Sequence, residues 1–505
     1  MFSPRDRAFS ARADAADPIA VSGTAQAWTR SRLTERCSAL AERLTALDLQ
    51  VVALHMDNRP EWIVIDMACQ AASVCLVPLP GFFSPAQLRH ILNTVPIDGV
   101  LTEQPEMLSP LCADRLRPGM DLPLGGSTLL RLKRVRNTQV LPAGTGKITF
   151  TSGSTGRPKG VCLSNGQLQA QAAALAAAVG LEQPRHLCLL PLSTLLENVA
   201  GVYAPLLSGG EVVVPTLAEI GFYGSSSLDT GLFLEQISQQ QPNSILLTPQ
   251  LLQILVSAAG NGWQPPASLV FAAVGGAKVP VALLQRARAL GIPAFEGYGL
   301  SECASVVSLN RPGRDRPGSC GQPLAQLGIT VDDGEIRVAG NAMLGYAGEP
   351  ESWGQDQIAT GDLGYLDNEG FLYINGRKKN LLITSFGRNI APEWVESEAL
   401  ASGVLAECVV VGDARPFCIA LLSPRNPAAA DETIQSAIDD SNARLPDYAH
   451  IRRWHRLVQP LADSSELITE NGRPKRHAII TRYQSVIDAL YAGDTCAAKP
   501  YARTA

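Results

Sequence analysis

The sequence lacks the features that mark secreted, disulfide-bonded or membrane-spanning proteins. Its eleven cysteines are scattered and include no C-x-x-C pair, so neither a disulfide framework nor a zinc site is indicated. Residues 1–18 have no apolar core of the kind found in signal peptides. The longest helical apolar run, residues 171–181, is too short to span a bilayer. We therefore expect a cytoplasmic protein with no stable membrane insertion.

Blocks of like charge are also missing. The chain carries 42 lysines and arginines against 47 aspartates and glutamates, which gives a formal net charge of -5. A duplex nucleic-acid binder would need a basic face, so no nucleic-acid partner is expected. The six histidines are dispersed without the spacing of a metal site. We expect each of them to be either at the surface or hydrogen-bonded inside.

Apolar residues are plentiful and follow an alternating strand–helix pattern. Hydrophobic residues make up 46% of the 505 positions, enough for a sizeable core. Residues 28–47 have the spacing of an amphipathic helix, and residues 51–57 and 98–103 are typical of short buried strands. Ser84 begins another helix with a capping box that Gln87 completes. This alternation predicts parallel sheets covered by helices.

The pattern changes twice along the chain. From Gly318 onward, short alternating strands with Gly and Asp turns favour an antiparallel barrel, and from Asn380 onward strands and helices are mixed. The predicted fold is α/β. A large N-terminal domain (residues 1–376) contains two parallel-sheet subdomains and a small β-barrel at about 316–376. A charged hinge at residues 377–380 then leads to a smaller, mobile α+β lid domain, residues 381–505.

The stretch "FTSGSTGRPKG", residues 150–160, has the composition of a phosphate-binding loop. Its glycines let backbone N–H groups turn towards an anion, its hydroxyls add donors, and Lys159 adds charge. It is not a Walker A loop, because Gly160 follows the lysine where that motif has Ser or Thr. The sequence "AGTGKI" upstream fails the same test. On its own, the stretch could equally be a flexible surface loop.

Three further motifs follow in order: "FEGYGLSECA" (residues 295–304), "TGDLGYLDNEGFLYINGRKKN" (residues 360–380) and "NGRPKR" (residues 471–476). Together with the glycine-rich stretch, they resemble the adenylate-forming superfamily, which includes acyl- and aryl-CoA synthetases, luciferases and peptide-synthetase adenylation domains. The resemblance covers nearly the whole chain and is closest in motifs to the long-chain fatty acyl-CoA synthetase branch.

The resemblance implies a two-step ligase reaction. A carboxylic acid attacks the α-phosphate of ATP and expels pyrophosphate, and a thiol then displaces AMP from the acyl-adenylate. The implied cofactors are ATP, Mg²⁺ and coenzyme A, or a phosphopantetheine carrier protein in place of coenzyme A. For phosphoryl transfer, the protein has mainly to position the reacting groups and to neutralise the charge of the phosphates.

The resemblance also assigns residues to the nucleotide. Residues 151–156 and Lys159 would wrap the phosphates, Tyr298 would stack on adenine, and Asp362 would accept hydrogen bonds from the ribose. Glu302 would hold Mg²⁺ with the hydroxyl of Thr151 or Thr155, because a hard cation takes oxygen ligands. The implied nucleotide-binding set is Thr151, Ser152, Gly153, Ser154, Thr155, Gly156, Gly275, Gly276, Ala277, Glu296, Gly297, Tyr298, Asp362, Ile374 and Arg377.

The last motif departs from the family pattern. Where the family commonly has a catalytic lysine that reaches the carboxylate and α-phosphate, this chain has Arg473, and Lys475 stands two residues later. Arginine keeps the charge but not the compact ammonium. Either residue could supply the cation. The implied hinge residue is Lys379, and Gly387 and Arg388 would line the approach of the thiol.

The segment at residues 190–201 has Thr194 and Leu196 where long-chain enzymes commonly have histidine and an aromatic residue, although Glu197 matches. No aspartate is placed to pair with an α-amine, so an amino-acid substrate is disfavoured. Small residues at 299 and 301 would leave room for a chain or ring, and a medium-chain or specialised acid fits as well as a long one. The predicted acyl pocket consists of Leu195, Leu196, Phe222, Tyr223, Val274, Gly299 and Ala304.

Three hypotheses follow from the sequence. The first is an acyl-CoA synthetase that acts on a fatty or related acid. The second is a ligase that loads a carrier protein or stops at the acyl-adenylate. The third is a nucleotide-binding protein with a lapsed ligase fold. A monomer or a homodimer is expected.

Overall fold

Two mostly parallel sheets form the larger part of the molecule. The computed structural model describes residues 17–117, 122–124, 127–133, 141–151, 158–223, 227–386, 388–464, 466–469 and 473–492. In the nine-stranded sheet, the spatial order of strands is Gln322–Pro323, Ser305–Leu309, Ala294–Leu300, Phe271–Val274, Ser244–Leu247, Arg185–Leu187, Glu211–Val213, Ile19–Ser22 and Ala27–Thr29. Its central pairs are parallel, and antiparallel strands close both edges.

The eight-stranded sheet carries the strand that leads into the glycine-rich stretch. Its spatial order is Gly345–Tyr346, Lys159–Leu163, Lys147–Thr151, Cys75–Pro78, Val51–His55, Gly99–Thr102, Ser127–Arg131 and Leu122–Leu124. The strand Lys147–Thr151 pairs in parallel with Cys75–Pro78 and antiparallel with Lys159–Leu163. The strands on either side of the glycine-rich stretch therefore lie next to each other.

Helices cover these sheets, and several begin where the sequence predicts. Ser84 and Gln87 form the expected capping box, and the amphipathic helix buries the leucines and the cysteine of its apolar face. A second capping box at Ser164 was not predicted. The helices of this part are Arg30–Ala46, Pro60–Ala71, Pro85–Thr94, Pro105–Leu108, Asn165–Val179, Ala204–Leu207, Thr230–Gln240, Pro249–Gly260 and Val281–Ala289, with a π-helix at Glu197–Tyr203.

The remaining elements form two smaller units. A four-stranded antiparallel sheet consists of Gly328–Asp332, Glu335–Ala339, Gln357–Leu366 and Leu372–Arg377. After a short 3-10 helix at Lys378–Asn380, a three-stranded sheet combines Leu405–Val411, Cys418–Pro424 and Ile451–Arg456 with the helices Pro392–Leu400, Asp431–Asn442, Arg476–Arg482 and Gln484–Ala492. Two hairpins pair Phe222–Tyr223 with Ser227–Leu228 and Leu382–Ile383 with Asn389–Ile390. The predicted fold class is confirmed.

The ten cysteines among the described residues are all buried and unpaired. Burial raises the pKa of the thiols, to about 12 for Cys37, Cys162 and Cys418. Within the described ranges, no helix has both the length and the apolar character needed to cross a membrane.

Candidate active site

One loop joins three of the segments that were predicted to bind the nucleotide. The Val279 N–H donates to Glu296 Oε1 over 3.1 Å, and Lys278 Nζ donates to the Ile374 carbonyl over 3.1 Å. In the same loop, Gly276 has a φ of 87°, a conformation that suits glycine. Burial raises the pKa of Glu296 to about 7. These contacts fix the loop between two strands that lie far apart in the sequence.

Asp362, the predicted ribose acceptor, is buried and uses both of its oxygens. The Tyr298 hydroxyl donates to Oδ2 over 2.6 Å, and Arg377 Nε lies 2.7 Å from Oδ1. Asp362 and Arg377 are also partners in the register of neighbouring strands. Burial raises the pKa of the Asp362 carboxyl, and the Arg377 guanidinium opposes that rise. The predicted adenine, ribose and phosphate contacts thus meet at one carboxylate.

Arg473 reaches this group from the C-terminal part of the chain. Its Nη2 donates to the Gly276 carbonyl, and its charge interacts with the charges of Arg377 and Asp362. Lys475 stands directly before the helix Arg476–Arg482, and its backbone N–H donates to the Leu467 carbonyl over 2.7 Å. The structure therefore brings Arg473 to the predicted nucleotide residues.

Lys159 and Glu302 are connected through a tyrosine that the sequence analysis did not identify. The Tyr346 hydroxyl donates to Glu302 Oε1 over 2.8 Å, and Lys159 Nζ lies 4.7 Å from the centre of the Tyr346 ring. Lys159 also forms an ion pair with Glu349 at 2.8 Å. Thr151 is the strand partner of Lys159. Ser152, Gly153, Ser154, Thr155 and Gly156 lie outside the described residues.

A cavity of about 400 Å³ opens beside Arg377. Its lining combines three consecutive basic residues with one acidic residue and a strand segment: Arg377, Lys378, Lys379, Glu335, Ala359, Thr360 and Gly361. Lys378 Nζ lies 3.1 Å from Glu335 Oε2. The predicted hinge residue Lys379 is exposed and lies in the 3-10 helix.

A buried ionic network lies at the start of the strand that precedes the glycine-rich stretch. Lys147 Nζ is 2.8 Å from Asp66 Oδ1, and both side chains are 1% exposed. Lys147 also donates to Asn198 Oδ1 and to the Tyr203 hydroxyl, and Asp66 Oδ2 accepts from both of these side chains. The sequence analysis missed this network because its members lie up to 137 positions apart and form no local motif.

Glu197 begins the π-helix Glu197–Tyr203, whose last residue, Tyr203, belongs to the network around Lys147. Its Oε1 lies 2.9 Å from His186 Nε2, and its Oε2 accepts from the Leu190 N–H over 3.1 Å. His186 Nδ1 lies 2.9 Å from Ser244 Oγ. His186 is therefore hydrogen-bonded inside, as expected for a histidine that is not at the surface.

The predicted acyl-pocket residues divide between two core clusters. Leu195 and Ala304 belong to a cluster with residues from both large sheets and the four-stranded sheet, whereas Val274 belongs to a second cluster around the nine-stranded sheet and Phe222 packs against that cluster. Leu196 packs against both clusters. The predicted pocket residues therefore do not share one cluster.

Two positions differ from the expectation for this pocket. Tyr223 is 55% exposed on its hairpin, which places it at the surface. A Cβ atom at Gly299 would lie 1.9 Å from the carbonyl oxygen of Ser305. The close approach of the neighbouring strand, and not space for a substrate, therefore explains why residue 299 is glycine.

Of the predicted thiol-approach residues, Gly387 lies outside the described residues. The Arg388 N–H donates to Thr384 Oγ1 over 3.1 Å, and its guanidinium lies 5.9 Å from the centre of the Tyr448 ring. Beside it, Phe386 is 76% exposed. These residues lie on the C-terminal side of the predicted hinge.

Comparison with known families matches almost the whole chain. The family described as AMP-binding enzyme matches residues 8–347, and the family described as AMP-binding enzyme C-terminal domain matches residues 379–495. The second match begins at Lys379, the predicted hinge residue, and residues 348–378 lie between the two matches.

Similar proteins include two kinds of CoA ligase. A 2-succinylbenzoate–CoA ligase of Bacillus pumilus is 30% identical over 407 residues, which cover 76% of this chain and 80% of the relative. A long-chain-fatty-acid–CoA ligase of Mycobacterium bovis is 24% identical, and the alignment covers 90% of this chain and 92% of the relative.

Solved structures show the same architecture. The o-succinylbenzoate coenzyme A synthetase of Bacillus subtilis, in complex with ATP and magnesium ion, is 26% identical and superposes with a TM-score of 0.72 over 91% of this chain and 96% of that one. An anthranilate CoA ligase in complex with anthranoyl-AMP, 19% identical, has a TM-score of 0.78 over 94% of this chain and 95% of that one.

Proposed function

Because the chain belongs to the AMP-binding enzyme family of the adenylate-forming superfamily and is an AMP-forming acid–thiol ligase, we propose that it joins a carboxylic acid to coenzyme A. In the first step the acid carboxylate attacks the α-phosphorus of ATP, the bond to the β-phosphate oxygen breaks, and pyrophosphate leaves. In the second step the coenzyme A thiol attacks the acyl carbon and AMP leaves.

The observation that carries this proposal is the convergence of distant segments on Asp362. Tyr298 and Arg377 bind its two oxygens, and Arg473 binds the adjacent loop at Gly276. This arrangement combines an aromatic face, a carboxylate acceptor and two guanidinium groups, which are the contacts that adenine, ribose and phosphate require. ATP would displace Tyr298 or Arg377 from one carboxylate oxygen when the ribose binds.

The residues near Lys159 suit the phosphate end of ATP. Lys159 is held by Glu349 in a half-exposed ion pair, and such pairs are weak enough for a polyphosphate to replace the carboxylate. Glu302 Oε2 makes no hydrogen bond to any residue that the structure describes. Glu302 and Thr151 offer the oxygen ligands that Mg²⁺ prefers. When bound there, the ion would neutralise phosphate charge.

Arg473 is the residue that we assign to the reacting centre. It would take the place of the lysine that related enzymes commonly have there and would stabilise charge on the carboxylate and the α-phosphate. Lys379 would act as the hinge, since it lies between the strand that carries Arg377 and the C-terminal sheet. Rotation at this position would carry Arg473 away and bring Gly387 and Arg388 towards the thiol.

Exchange of radiolabelled pyrophosphate into ATP tests the first half-reaction. With Mg²⁺ and a panel of fatty, aryl and dicarboxylic acids, we expect exchange that depends on the added acid. Adding coenzyme A or a phosphopantetheine carrier protein then identifies the acceptor by the thioester formed. If a folded sample showed no pyrophosphate exchange with any of the acids supplied, the proposed function would be contradicted.

The Glu302→Ala variant should lose this exchange because it removes a carboxylate ligand of the metal. The matched control is Glu351→Ala, which alters an exposed glutamate in the same part of the chain and should leave the rate within about twofold. Exchange retained by Glu302→Ala would exclude the assigned role of this residue.

A further inference from the structure

Glu393 connects the predicted hinge to the segment that carries Arg473. It lies in the first turn of the helix Pro392–Leu400, and its Oε1 accepts a hydrogen bond from Asn380 Nδ2 over 2.5 Å. The same oxygen lies 3.8 Å from Nε of Arg476, at the end of the last motif. Arg473 stands three residues before Arg476, so their backbones lie within about 10 Å of each other. One carboxylate therefore links the last residue of the hinge to the last motif.

Arg476 is held in turn by a second carboxylate of the same helix. Its Nη2 lies 2.5 Å from Glu396 Oε2, and its Nη1 donates to the Val410 carbonyl over 3.2 Å. Glu396 Oε1 accepts from the Val410 N–H over 2.7 Å. The guanidinium is therefore bound both to the helix and to the strand Leu405–Val411, so a displacement of the helix would carry Arg476 with it.

The helix that carries Glu393 packs directly against the last strand before the hinge. A Cβ atom at Gly376 would lie 2.3 Å from Ala391 Cβ and 3.4 Å from Glu393 Oε2. This oxygen is buried and accepts no hydrogen bond from any residue that the structure describes. Burying an unpaired carboxylate oxygen costs free energy. The attraction of the carboxylate for the charges of Lys379 and Arg473 offsets this cost as long as the helix stays against the strand.

The other end of the hinge is fixed to the four-stranded sheet. Lys378 Nζ lies 3.1 Å from Oε2 of Glu335, which is a residue of that sheet. Lys378 is therefore attached to the N-terminal part, whereas Asn380 is attached to the C-terminal part through Glu393. Since Lys379 lies between these two attachments, a rotation of the C-terminal part would fall mainly on its backbone torsions.

We propose that Glu393 is a positioning residue of the first half-reaction, which fixes the C-terminal part in the pose that brings Arg473 to the Gly276 carbonyl. This inference rests on the proposed function. Rotation at the hinge would separate Glu393 from Gly376. The contacts of Glu393 therefore stabilise the adenylating pose and not the pose in which the thiol attacks. Loss of these contacts leaves the reacting groups intact but lowers the population of the adenylating pose.

The two half-reactions, measured separately, test this role. In Glu393→Ala we expect acid-dependent pyrophosphate exchange to fall about tenfold, because a misplacement of about 1 Å is enough to slow a reaction that depends on positioning. Transfer of the acyl group from a chemically prepared acyl-adenylate to coenzyme A, measured as thioester formed, should stay within about twofold of the parent rate. Glu393→Gln keeps an acceptor for Asn380 but loses the charge, so its loss of exchange should be intermediate.

Glu398→Ala is the matched control on the same helix. Glu398 Oε2 lies 2.8 Å from Arg444 Nε, and both residues lie on the C-terminal side of the hinge. This change removes an ion pair without touching the hinge, so exchange and thioester formation should both stay within about twofold of the parent rates. The melting temperature of each variant shows that the protein compared is folded.

A double variant tests whether Glu393 acts through the hinge. Asn380→Ala removes the hydrogen bond to Glu393 from the other side and should also slow exchange more than thioester formation. If the two residues act together, the loss in the Asn380→Ala, Glu393→Ala double variant should be smaller than the product of the two single losses.

Four outcomes would overturn the proposal. They are exchange that Glu393→Ala leaves unchanged, an equal loss in both half-reactions, a loss of exchange in Glu398→Ala as large as that in Glu393→Ala, and single losses that simply multiply in the double variant. In each of these cases the parent enzyme still exchanges pyrophosphate, so the proposed function stands. Absence of exchange in the parent enzyme with every acid would instead overturn the proposed function, and this inference with it.

Discussion

Arg473 stands where the family resemblance implies a lysine, and its guanidinium reaches the Gly276 loop of the proposed nucleotide site. A planar guanidinium can donate several hydrogen bonds in fixed directions, whereas an ammonium acts as a compact point charge. In this chain, one donor of Arg473 already binds the Gly276 carbonyl. The other N–H donors of the guanidinium are enough to bind both a carboxylate oxygen and a phosphate oxygen.

On the basis of this placement we propose Arg473, and not Lys475, as the cation of the reacting centre. We expect Arg473→Ala to lower the rate of acid-dependent pyrophosphate exchange on the order of a hundredfold, because a charge-stabilising donor is lost. Lys475→Ala, the matched control two residues away, should lower the rate only a few-fold. If Lys475→Ala were the slower variant, the loop would have to rearrange to present Lys475 during the reaction.

The sequence predicted some residues of the candidate site and missed others. Motif position alone was enough to single out Tyr298 and Asp362, which the structure brings into contact. Tyr346 and Glu349 escaped notice, because the contact between Lys159 and Glu349 joins positions 190 residues apart. Pairing of the strands Lys159–Leu163 and Gly345–Tyr346 brings these residues together, and no local sequence pattern predicts that pairing.

At the scale of elements, the buried network around Lys147 connects three parts of the fold. Asp66 lies on the helix Pro60–Ala71, Lys147 begins the strand that precedes the glycine-rich stretch, and Tyr203 ends the π-helix. The network therefore joins the strand that leads to the predicted phosphate loop with the π-helix that follows Leu195 and Leu196 of the predicted acyl pocket. Burial lowers the pKa of Lys147, and Asp66 opposes that effect.

Breaking this network should cost far more than breaking a surface pair. Lys147→Met would leave Asp66 buried without its cation, and we expect the free energy of unfolding to fall by about 3 to 5 kcal/mol. The control Lys159→Met breaks a half-exposed pair and should cost no more than about 1 kcal/mol. Urea unfolding followed by circular dichroism measures both changes. Equal losses in the two variants would show that burial does not govern the cost.

Local signals predicted the elements better than their junctions. The capping box at Ser84, for example, follows from side chains within a few positions. The π-helix at Glu197–Tyr203 shows no such local signal, and the side chains at its two ends contact His186 and Asp66, which lie in other elements. Apolar periodicity alone would give an ordinary helix there.

For the whole molecule, strand alternation predicted parallel sheets but not their strand order. The strand Ile19–Ser22, for example, pairs in parallel with Glu211–Val213 almost two hundred positions later. This pairing brings the start of the described chain into the nine-stranded sheet. Such long-range partners depend on how the helices pack between sheets, which single-sequence periodicity does not report.

Glu296 should make the stability of the whole molecule depend on pH. Its pKa is raised from 4.5 to about 7 because burial disfavours the carboxylate. A group with a raised folded-state pKa contributes full stability below its unfolded pKa and loses it as pH rises through the folded one. The unfolding free energy of the parent enzyme, relative to Glu296→Gln, should therefore fall between pH 4.5 and 7 by on the order of 3 kcal/mol.

Chemical unfolding of both proteins at a series of pH values measures this difference. The Glu296→Gln substitution keeps the size of the side chain and an acceptor for the Val279 N–H, so the variant isolates titration from packing. A difference between the two proteins that stays constant across this range would contradict the assignment of the titration to Glu296.

Because every cysteine in the described part of the chain is buried, we expect thiol reagents to react with these residues only slowly. Cys496 is the one cysteine outside the described residues. In a Cys496→Ser variant, thiol-reactive dyes should therefore label the protein slowly, because a buried thiol reacts only when the structure around it opens. A single cysteine introduced at Val458, which is 95% exposed, would then carry one fluorophore on the C-terminal part. Rotation of that part during turnover could then be followed by the fluorescence of this single label, with no other residue of the enzyme labelled.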